Sequence, residues 1–550
     1  MPWNDTAQLD FLRADVREAV IATILDVARR FQIIRLDAAM TLAKKHFQRL
    51  WYPHPGTGGG IPSRAEHGMM RADFDRRMPH EFWREVVDRV TREMPDTLLL
   101  AEAFWMMEGY FVRTLGMHRV YNSAFMNMLK MEENDKYRSV VKNTLEFDPR
   151  ILMRFVNFMN NPDELTAIEQ FGNGDKYFGV CLMMVTMPGL PMFGHGQIEG
   201  FIEKYGMEYR RAYRNEQVDW SLVRRHEAEI FPLMKKRHLF SGVEHFALYD
   251  FFTPQGKVNE NVFAYSNRSG GERAVVLYHN KYQETEGWIR TSCGMAVDYD
   301  DPGKKRVVQK TLSEALGLND GARSYYIFRN SVTNLEHIRP GRELARQGIY
   351  AQLGAFRFIV YLDFREVEDG PGGYYGRLAR SLGWRGVPSV EEAVREMILD
   401  PVHAPFAALA GGEAVERLVV DPGKARPQIS KTAGELVRAT TKFIGASCDA
   451  RKIRDEIMAG LDVVAEIVRM KKRRSAAIEY LRAGLMAEGN LFHATAGAWG
   501  VTPRLGAVRS REDAAGQGVA PMTAPPLGKA FAAALRGRGA DGRAAGALIP

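Results

Sequence analysis

Hydrophobic positions in the first 235 residues fall into two alternating kinds of run. Val16, Val20, Ile24 and Val27 recur at helical spacing behind a helix start at Asp15 and Glu18, and the helix closes at Arg29-Arg30. Ile33-Ile34 then predicts a short buried strand, ending at Asp37. After a Gly/Pro-rich loop (Tyr52 to Pro62) and a helix around Glu81–Glu93, a second apolar run, Leu98-Leu99-Leu100-Ala101, ends at Glu102. Arg119–Phe125, Phe155–Met159 and Val180–Met187 extend the series of strand candidates. The most apolar segment, Tyr177 to Phe193, is broken by Pro188-Gly189-Leu190-Pro191 and is too short to span a bilayer. It reads as a buried strand. Continuous apolar strands alternating with helices predict a parallel sheet covered on both faces, an α/β architecture.

The period changes near residue 235. Phe246-Ala-Leu-Tyr-Asp-Phe-Phe, Val262-Phe-Ala-Tyr-Ser, Ala274-Val-Val-Leu-Tyr and Ser324-Tyr-Tyr-Ile-Phe are β-rich and separated by Gly, Asn and Pro turns, the pattern of an antiparallel sandwich. Beyond Arg342 helices return. Ser389 and Glu392 form a capping box behind Pro388, and a long helical stretch covers Asp455–Met486. From about Trp499 the chain is rich in Ala, Gly, Pro and Arg and reads as a disordered tail. The expected segments are 1–235 (α/β), 236–345 (all-β), 346–498 (helical) and 499–550 (basic tail).

Charge narrows the partners little. The net charge is +8, and 504–550 holds seven basic against three acidic residues, so half of the excess lies in the tail. No zinc-finger spacing or RNP-like aromatic segment accompanies the short basic runs, and nucleic acid is not an expected partner. Cys181, Cys293 and Cys448 lack metal-ligand spacing, and their odd number points to a reducing compartment. The N-terminus, Met-Pro-Trp-Asn-Asp, lacks the pattern of a signal peptide. A cytoplasmic protein without a membrane partner is expected.

Candidate chemistry sits where apolar runs end. Asp37 follows Ile33-Ile34-Arg35-Leu36, Glu102 follows Leu98–Ala101, and Asp163 follows Phe155-Val-Asn-Phe-Met-Asn-Asn-Pro. In a parallel barrel the C-terminal strand ends converge on one mouth, where catalytic groups gather. Two carboxylates there suit glycosidic-bond chemistry, one protonating the leaving oxygen and one attacking the anomeric carbon. Arg35 lies on the same strand face as Asp37, placed to keep that carboxylate ionised. An acid closing a strand also commonly caps the next helix, so position alone leaves catalysis and capping open.

The residues themselves carry a resemblance. Arg35-Leu36-Asp37-Ala38-Ala39 resembles the Arg-x-Asp-Ala motif of the α-amylase family of glycoside hydrolases, and Leu100-Ala101-Glu102-Ala103 is similar to its acid/base strand. Asn157-Phe-Met-Asn-Asn-Pro-Asp-Glu164 resembles its Asn-His-Asp segment, and Pro188-Gly189-Leu190-Pro191 with Gly196-Gln197 its last barrel motif. Val262–Arg268 and Ala274–Asn280 resemble its C-terminal β-domain. The resemblance covers about residues 1–345. It implies an incomplete (β/α)8 TIM barrel, strands four to eight, followed by an antiparallel β-sandwich and a helical C-terminal module. It implies Asp37 as nucleophile, Glu102 as general acid/base, Asp163 as the third carboxylate, and Arg35 as the group orienting Asp37. The reaction implied is retaining hydrolysis or transglycosylation at α-glucosidic bonds, with an α-glucan or malto-oligosaccharide as substrate.

The departures from that pattern set further expectations. Pro162 stands where the family's histidine precedes the third carboxylate, Met40-Thr41 where Lys-His often follows, and Ile198 where an acid often follows. Only 36 residues precede Asp37, so the first three strands, with the family's Asn-His motif, have no counterpart. Three accounts stand, a gene model begun at an internal Met, a natural truncation, or a second chain supplying the rest, and the first is the expected one. The chain alone is expected to hydrolyse α-glucan weakly or not at all, and a non-catalytic fragment or glycan-binding pseudoenzyme lacking the first three barrel strands is the alternative. Calcium is common in the family, but its usual ligands would lie partly in the absent segment, so no cofactor is expected. Asn161 belongs to the third-carboxylate motif as a sugar contact. His195 fits either a substrate contact or a structural role, as Trp105, Tyr121 and Phe125 fit either sugar stacking or the core.

Overall fold

In the computed structural model the described residues are 7–57, 62–104, 107–204, 211–298, 305–410, 413–445, 448–469 and 501. They divide into two compact units, one ending at Pro388 and the other beginning at Ser389.

The first unit opens with five parallel strands in sequential order: β1 (Ile33–Leu36), β2 (Leu98–Ala101), β3 (Arg119–Tyr121), β4 (Phe155–Phe158) and β5 (Leu190–Met192). Sequential parallel order with a helix in every connection is that of consecutive βα units of a (β/α) barrel. The helix Phe82–Glu93 shows why these connections dock on the sheet. Phe82, Trp83, Val86, Val87 and Val90 are all buried at helical spacing, and the chain turns away at Met94-Pro95.

Three expectations about these strands need correction. Val180–Met187 is not a strand; Asp175–Thr186 is a helix, buried on every side from Tyr177 to Thr186. Periodicity fails here because a helix without a solvent face has no polar stripe, and only its length separates it from a buried strand. Gly179 explains the burial. A Cβ there would lie 1.9 Å from the Tyr278 ring, so the missing side chain is what lets the β-domain pack against this helix. The second correction concerns Ile33, which is 64% exposed because β1 is an edge of the sheet. Also, β3 stops at Tyr121, and Phe125 belongs to the helix Ser123–Lys130.

After β6 (Ala247–Tyr249) come β7 (Val262–Ser269), β8 (Glu272–His279), β9 (Thr285–Ile289), β10 (Met295–Asp298), β11 (Lys305–Val308), β12 (Ser324–Asn330), β13 (Glu336–Pro340), β14 (Ile349–Leu353) and β15 (Phe358–Glu368). An antiparallel six-stranded sheet has the order β13-β12-β15-β8-β7-β6, and β9 pairs with β14. Between them lies a core that includes Tyr249, Phe251, Leu277, Ile289, Ile349 and Phe328. This overturns the boundary at 345/346. β15 lies between β12 and β8, so residues beyond 345 complete the β-domain, and the helical unit starts at Ser389. The strand Phe358-Ile-Val-Tyr-Leu-Asp-Phe-Arg-Glu-Val-Glu switches from a continuous apolar run to alternation as it leaves the core, which hides its β character.

The α/β and all-β parts share one core rather than standing as separate domains. Arg138, 1% exposed on the helix Asn134–Phe147, ion-pairs with Asp250 and Glu260 and donates to the carbonyl of Val262 at 2.7 Å. Such a buried cation is tolerated only because every side of the guanidinium meets an acceptor.

In the second unit, Val390–Ala410, Glu413–Val420, Pro422–Ile444 and Ala450–Arg469 are helices around a core with Phe406, Leu436 and Leu461. Ser389 Oγ accepts the Glu392 N–H, as the capping pattern predicts. The tail from 502 and the segment 470–486 lie outside the described residues. Among the described residues, no helix is long and apolar enough to cross a membrane.

Candidate active site

β1 and β2 pair in parallel with Arg35 opposite Leu100 and Leu36 opposite Ala101. That register sends the next residues, Asp37 and Glu102, out of the sheet side by side. The Glu102 N–H still pairs with the Leu36 carbonyl at 3.0 Å. Ala38 takes a left-handed conformation (φ 42°), unusual for a residue with a Cβ, and its N–H donates to Glu102 Oε2 at 3.1 Å. The turn after β1 thus grips the carboxyl that ends β2.

Arg35 ties the two acids together. Its Nη1 lies 2.7 Å from Asp37 Oδ1 and its Nη2 2.8 Å from Glu102 Oε2. Nε donates to the Tyr121 hydroxyl at 2.9 Å, and the guanidinium lies over the Tyr121 ring, 5.6 Å from its centre. Three strand ends therefore fix one planar cation whose donors all point in set directions.

The two carboxyls live in opposite surroundings. The Glu102 side chain is 3% exposed and that of Asp37 54%. Burial, with the neighbouring Asp37 carboxyl adding to it, raises Glu102 to about 7, against the pull of Arg35 and the Ala38 N–H. Its Oε1 is buried without a hydrogen-bond partner. A buried polar atom left unpaired is rare, and such atoms concentrate where a protein does chemistry. Asn160 and Asn161, after β4, add two more such atoms, Asn160 Oδ1 and Asn161 Nδ2. Asn160 packs closely on Gly194 in the loop after β5; a Cβ on that glycine would come within 2.4 Å of its amide.

The remaining residues singled out from sequence divide. Asp163 is exposed, and its described bonds are made by its backbone: the N–H donates to Asn161 Oδ1 at 2.9 Å and the carbonyl accepts from Lys204 Nζ at 2.6 Å. Asn161 is buried, with Oδ1 committed to the N–H groups of Asp163 and Glu164. His195 is exposed and its ring lies 6.3 Å from that of Phe201. Tyr121 and Phe125 are core residues rather than sugar platforms, Phe125 being fully buried and Tyr121 spending its hydroxyl on Arg35. Trp105 lies outside the described residues. Sequence reading missed Ala38, whose role rests on backbone conformation, and Asn160, whose signal was its place among the asparagines 157, 160 and 161.

Behind the β5 loop lies a buried polar chain. The Tyr177 hydroxyl donates to the Gln197 carbonyl at 2.8 Å and lies 2.9 Å from His226 Nε2, while Gln197 Oε1 accepts the Gly194 N–H at 3.0 Å. His226 opens a π-helical turn, His226–Ile230, and burial lowers its pKa to about 4. Among the described residues no group of three or more His, Cys, Asp or Glu side chains is arranged to hold a metal ion.

Three solved structures give the comparison. An α-amylase from Geobacillus thermoleovorans, complexed with acarbose, aligns over 65% of this chain and 65% of its own, at 14% identity and a TM-score of 0.42. A debranching enzyme from Nostoc punctiforme aligns over 64% of this chain and 61% of its own, at 13% identity and 0.38. A maltogenic α-amylase from Thermotoga neapolitana aligns over 67% and 68%, at 10% identity and 0.36. All three are amylolytic enzymes by name. It spans 65% of the length of the Geobacillus enzyme. No family model and no curated protein matches the chain.

Proposed function

We propose that this site cleaves or transfers α-glucosidic bonds with retention, Glu102 acting as general acid/base and Asp37 as nucleophile. The observation that carries the reading is the single guanidinium of Arg35 bridging a half-exposed carboxyl and a buried one whose pKa is raised to about 7. A carboxylic acid still protonated near neutral pH can donate to a departing glycosidic oxygen, and its buried, unpaired Oε1 is the atom available for it. The retaining course follows from the motif resemblance, and the Asp37 carboxyl is near enough to Glu102 to help raise its pKa. In that course Asp37 attacks directly and forms a glycosyl ester, which breaks down with Glu102 now acting as base.

Arg35 orients Asp37, and Tyr121 holds Arg35. Asp163 and Asn161 follow β4 and are assigned to sugar hydroxyls, with His195 on the loop after β5. Among the described residues no strand pairs with the outer edge of β1, so the mouth is open beside Asp37. Fewer walls mean less transition-state binding, and slow turnover is expected of this chain alone. The α-glucan and malto-oligosaccharide substrates follow from the motif resemblance; water as acceptor gives hydrolysis and a sugar hydroxyl gives transfer. The test is hydrolysis of an aryl α-maltoside by the purified chain. Slow release of the phenol that falls at least a hundredfold in Glu102→Gln supports the reading, and release unchanged in Glu102→Gln overturns it.

A further inference from the structure

The β-domain carries an aromatic row that the site above does not use. β9 lies between the segment ending at Phe252 and β14. Phe252 and Trp288 exchange both backbone hydrogen bonds at 2.9 Å, and Trp288 stands opposite Tyr350 in the β9–β14 pairing. Directly paired residues share a face of the sheet, so the three rings line up across three strands. Their neighbours point the other way, Phe251, Ile289 and Ile349 all being fully buried in the core. The Trp288 and Tyr350 rings are 5.0 Å apart, and Phe252 is 39% exposed.

The row is built rather than incidental. A Cβ on Gly287 would sit 2.1 Å from the Phe252 carbonyl oxygen, so only glycine lets the Phe252 strand close on β9. Phe252 and Trp288 then floor an open groove of about 620 Å³, with Arg290, Thr291, Arg346 and Gln347 on its walls. At one end of the row, Glu286 Oε2 accepts from the Tyr350 hydroxyl at 2.6 Å and from Gln352 Nε2 at 3.1 Å. Apolar rings, those of Trp288 and Tyr350 inclined at 51°, edged by a carboxylate, an amide and guanidinium groups match a pyranose, whose faces are C–H surfaces and whose rim is hydroxyls. An open groove suits a chain passing through it rather than a single small molecule.

We propose that the Phe252–Trp288–Tyr350 face is a second, non-catalytic carbohydrate site that holds an α-glucan chain. In naming an α-glucan this rests on the function proposed above. Trp288 stacks on a sugar ring, Phe252 extends the platform, and the groups around Glu286 and Gln352 take hydroxyls. Such a site would keep the polymer on the protein while the open mouth of the sheet engages one end.

Affinity electrophoresis of the full chain in gels containing soluble amylose, with a mixed-linkage β-glucan gel alongside, tests the assignment. The wild type should be retarded by amylose; Trp288→Ala should weaken apparent affinity about tenfold, and exposed Gln352→Ala about threefold, with circular dichroism unchanged for the latter. Wild-type retardation persisting in both variants would place binding elsewhere and overturn the proposal, as would a wild type that amylose does not retard. Retardation by β-glucan alone would overturn the α-glucan assignment. Covalent labelling of Asp37 is a separate readout, so loss of the platform and loss of the catalytic reading are told apart.

Discussion

Glu102 Oε2 lies 2.8 Å from Arg35 Nη2, while Glu102 Oε1 is buried with no partner. One oxygen is anchored and the other waits. That division suits the general-acid role proposed for Glu102, because the anchored oxygen would fix the direction in which the other delivers a proton.

The pH dependence of turnover follows. Glu102 must be protonated to act as acid, and its pKa is about 7. Rates on an aryl α-glucoside with a poor leaving group should fall as pH rises through about 7. With α-glucosyl fluoride, whose departure needs no proton, the first step should lose that alkaline limb. The comparison of the two pH–rate profiles checks it.

The same shift bears on stability. A carboxyl whose folded pKa exceeds its unfolded value stabilises the fold below the unfolded pKa and loses that contribution as pH rises through the folded one. For Glu102 the window runs from about 4.5 to about 7. Glu102→Gln should therefore gain thermal stability relative to the wild type as pH is raised across this window. Thermal midpoints of both proteins at pH 4.5, 6 and 8 give the measurement.

His226 runs in the opposite sense. Its folded pKa is lowered from 6.5 to about 4, so the unfolded chain binds the proton first and stability falls as pH drops through that interval. A fully buried imidazole makes the loss on the order of 3 kcal/mol by pH 4. In His226→Gln the acid-side decline between pH 6.5 and 4 should shrink, which urea unfolding at several pH values would read.

Gly179→Ala should destabilise the first unit by about 1–3 kcal/mol, because the new methyl group meets the Tyr278 ring instead of space. Chemical denaturation should show a lower midpoint with an unchanged slope.

Much of this was legible in the chain itself. Asp37 and Glu102 announced themselves by ending apolar runs, and the register of β1 on β2 then brought them to one guanidinium, as the sequence positions imply for adjacent parallel strands. What hid was whatever lacked a period or depended on distant partners. Asp175–Thr186 has no polar face, so its helical repeat was silent. β15 changes its pattern midway, and its place between β12 and β8 is set by pairing partners 31 to 86 residues away. Tyr121 reads as a sugar platform until the Arg35 contact shows its hydroxyl already engaged. The aromatic row could not be read at all, since Phe252, Trp288 and Tyr350 meet only through strand pairing.

The most direct test of the account is covalent trapping. Incubating the wild-type chain and Glu102→Gln with 5-fluoro-α-glucosyl fluoride, which needs no acid for departure, should yield a stable glycosyl ester, and peptide mass spectrometry should place it on Asp37. A label on another carboxylate, or none after prolonged incubation of either protein, would contradict Asp37 as the nucleophile of a retaining site.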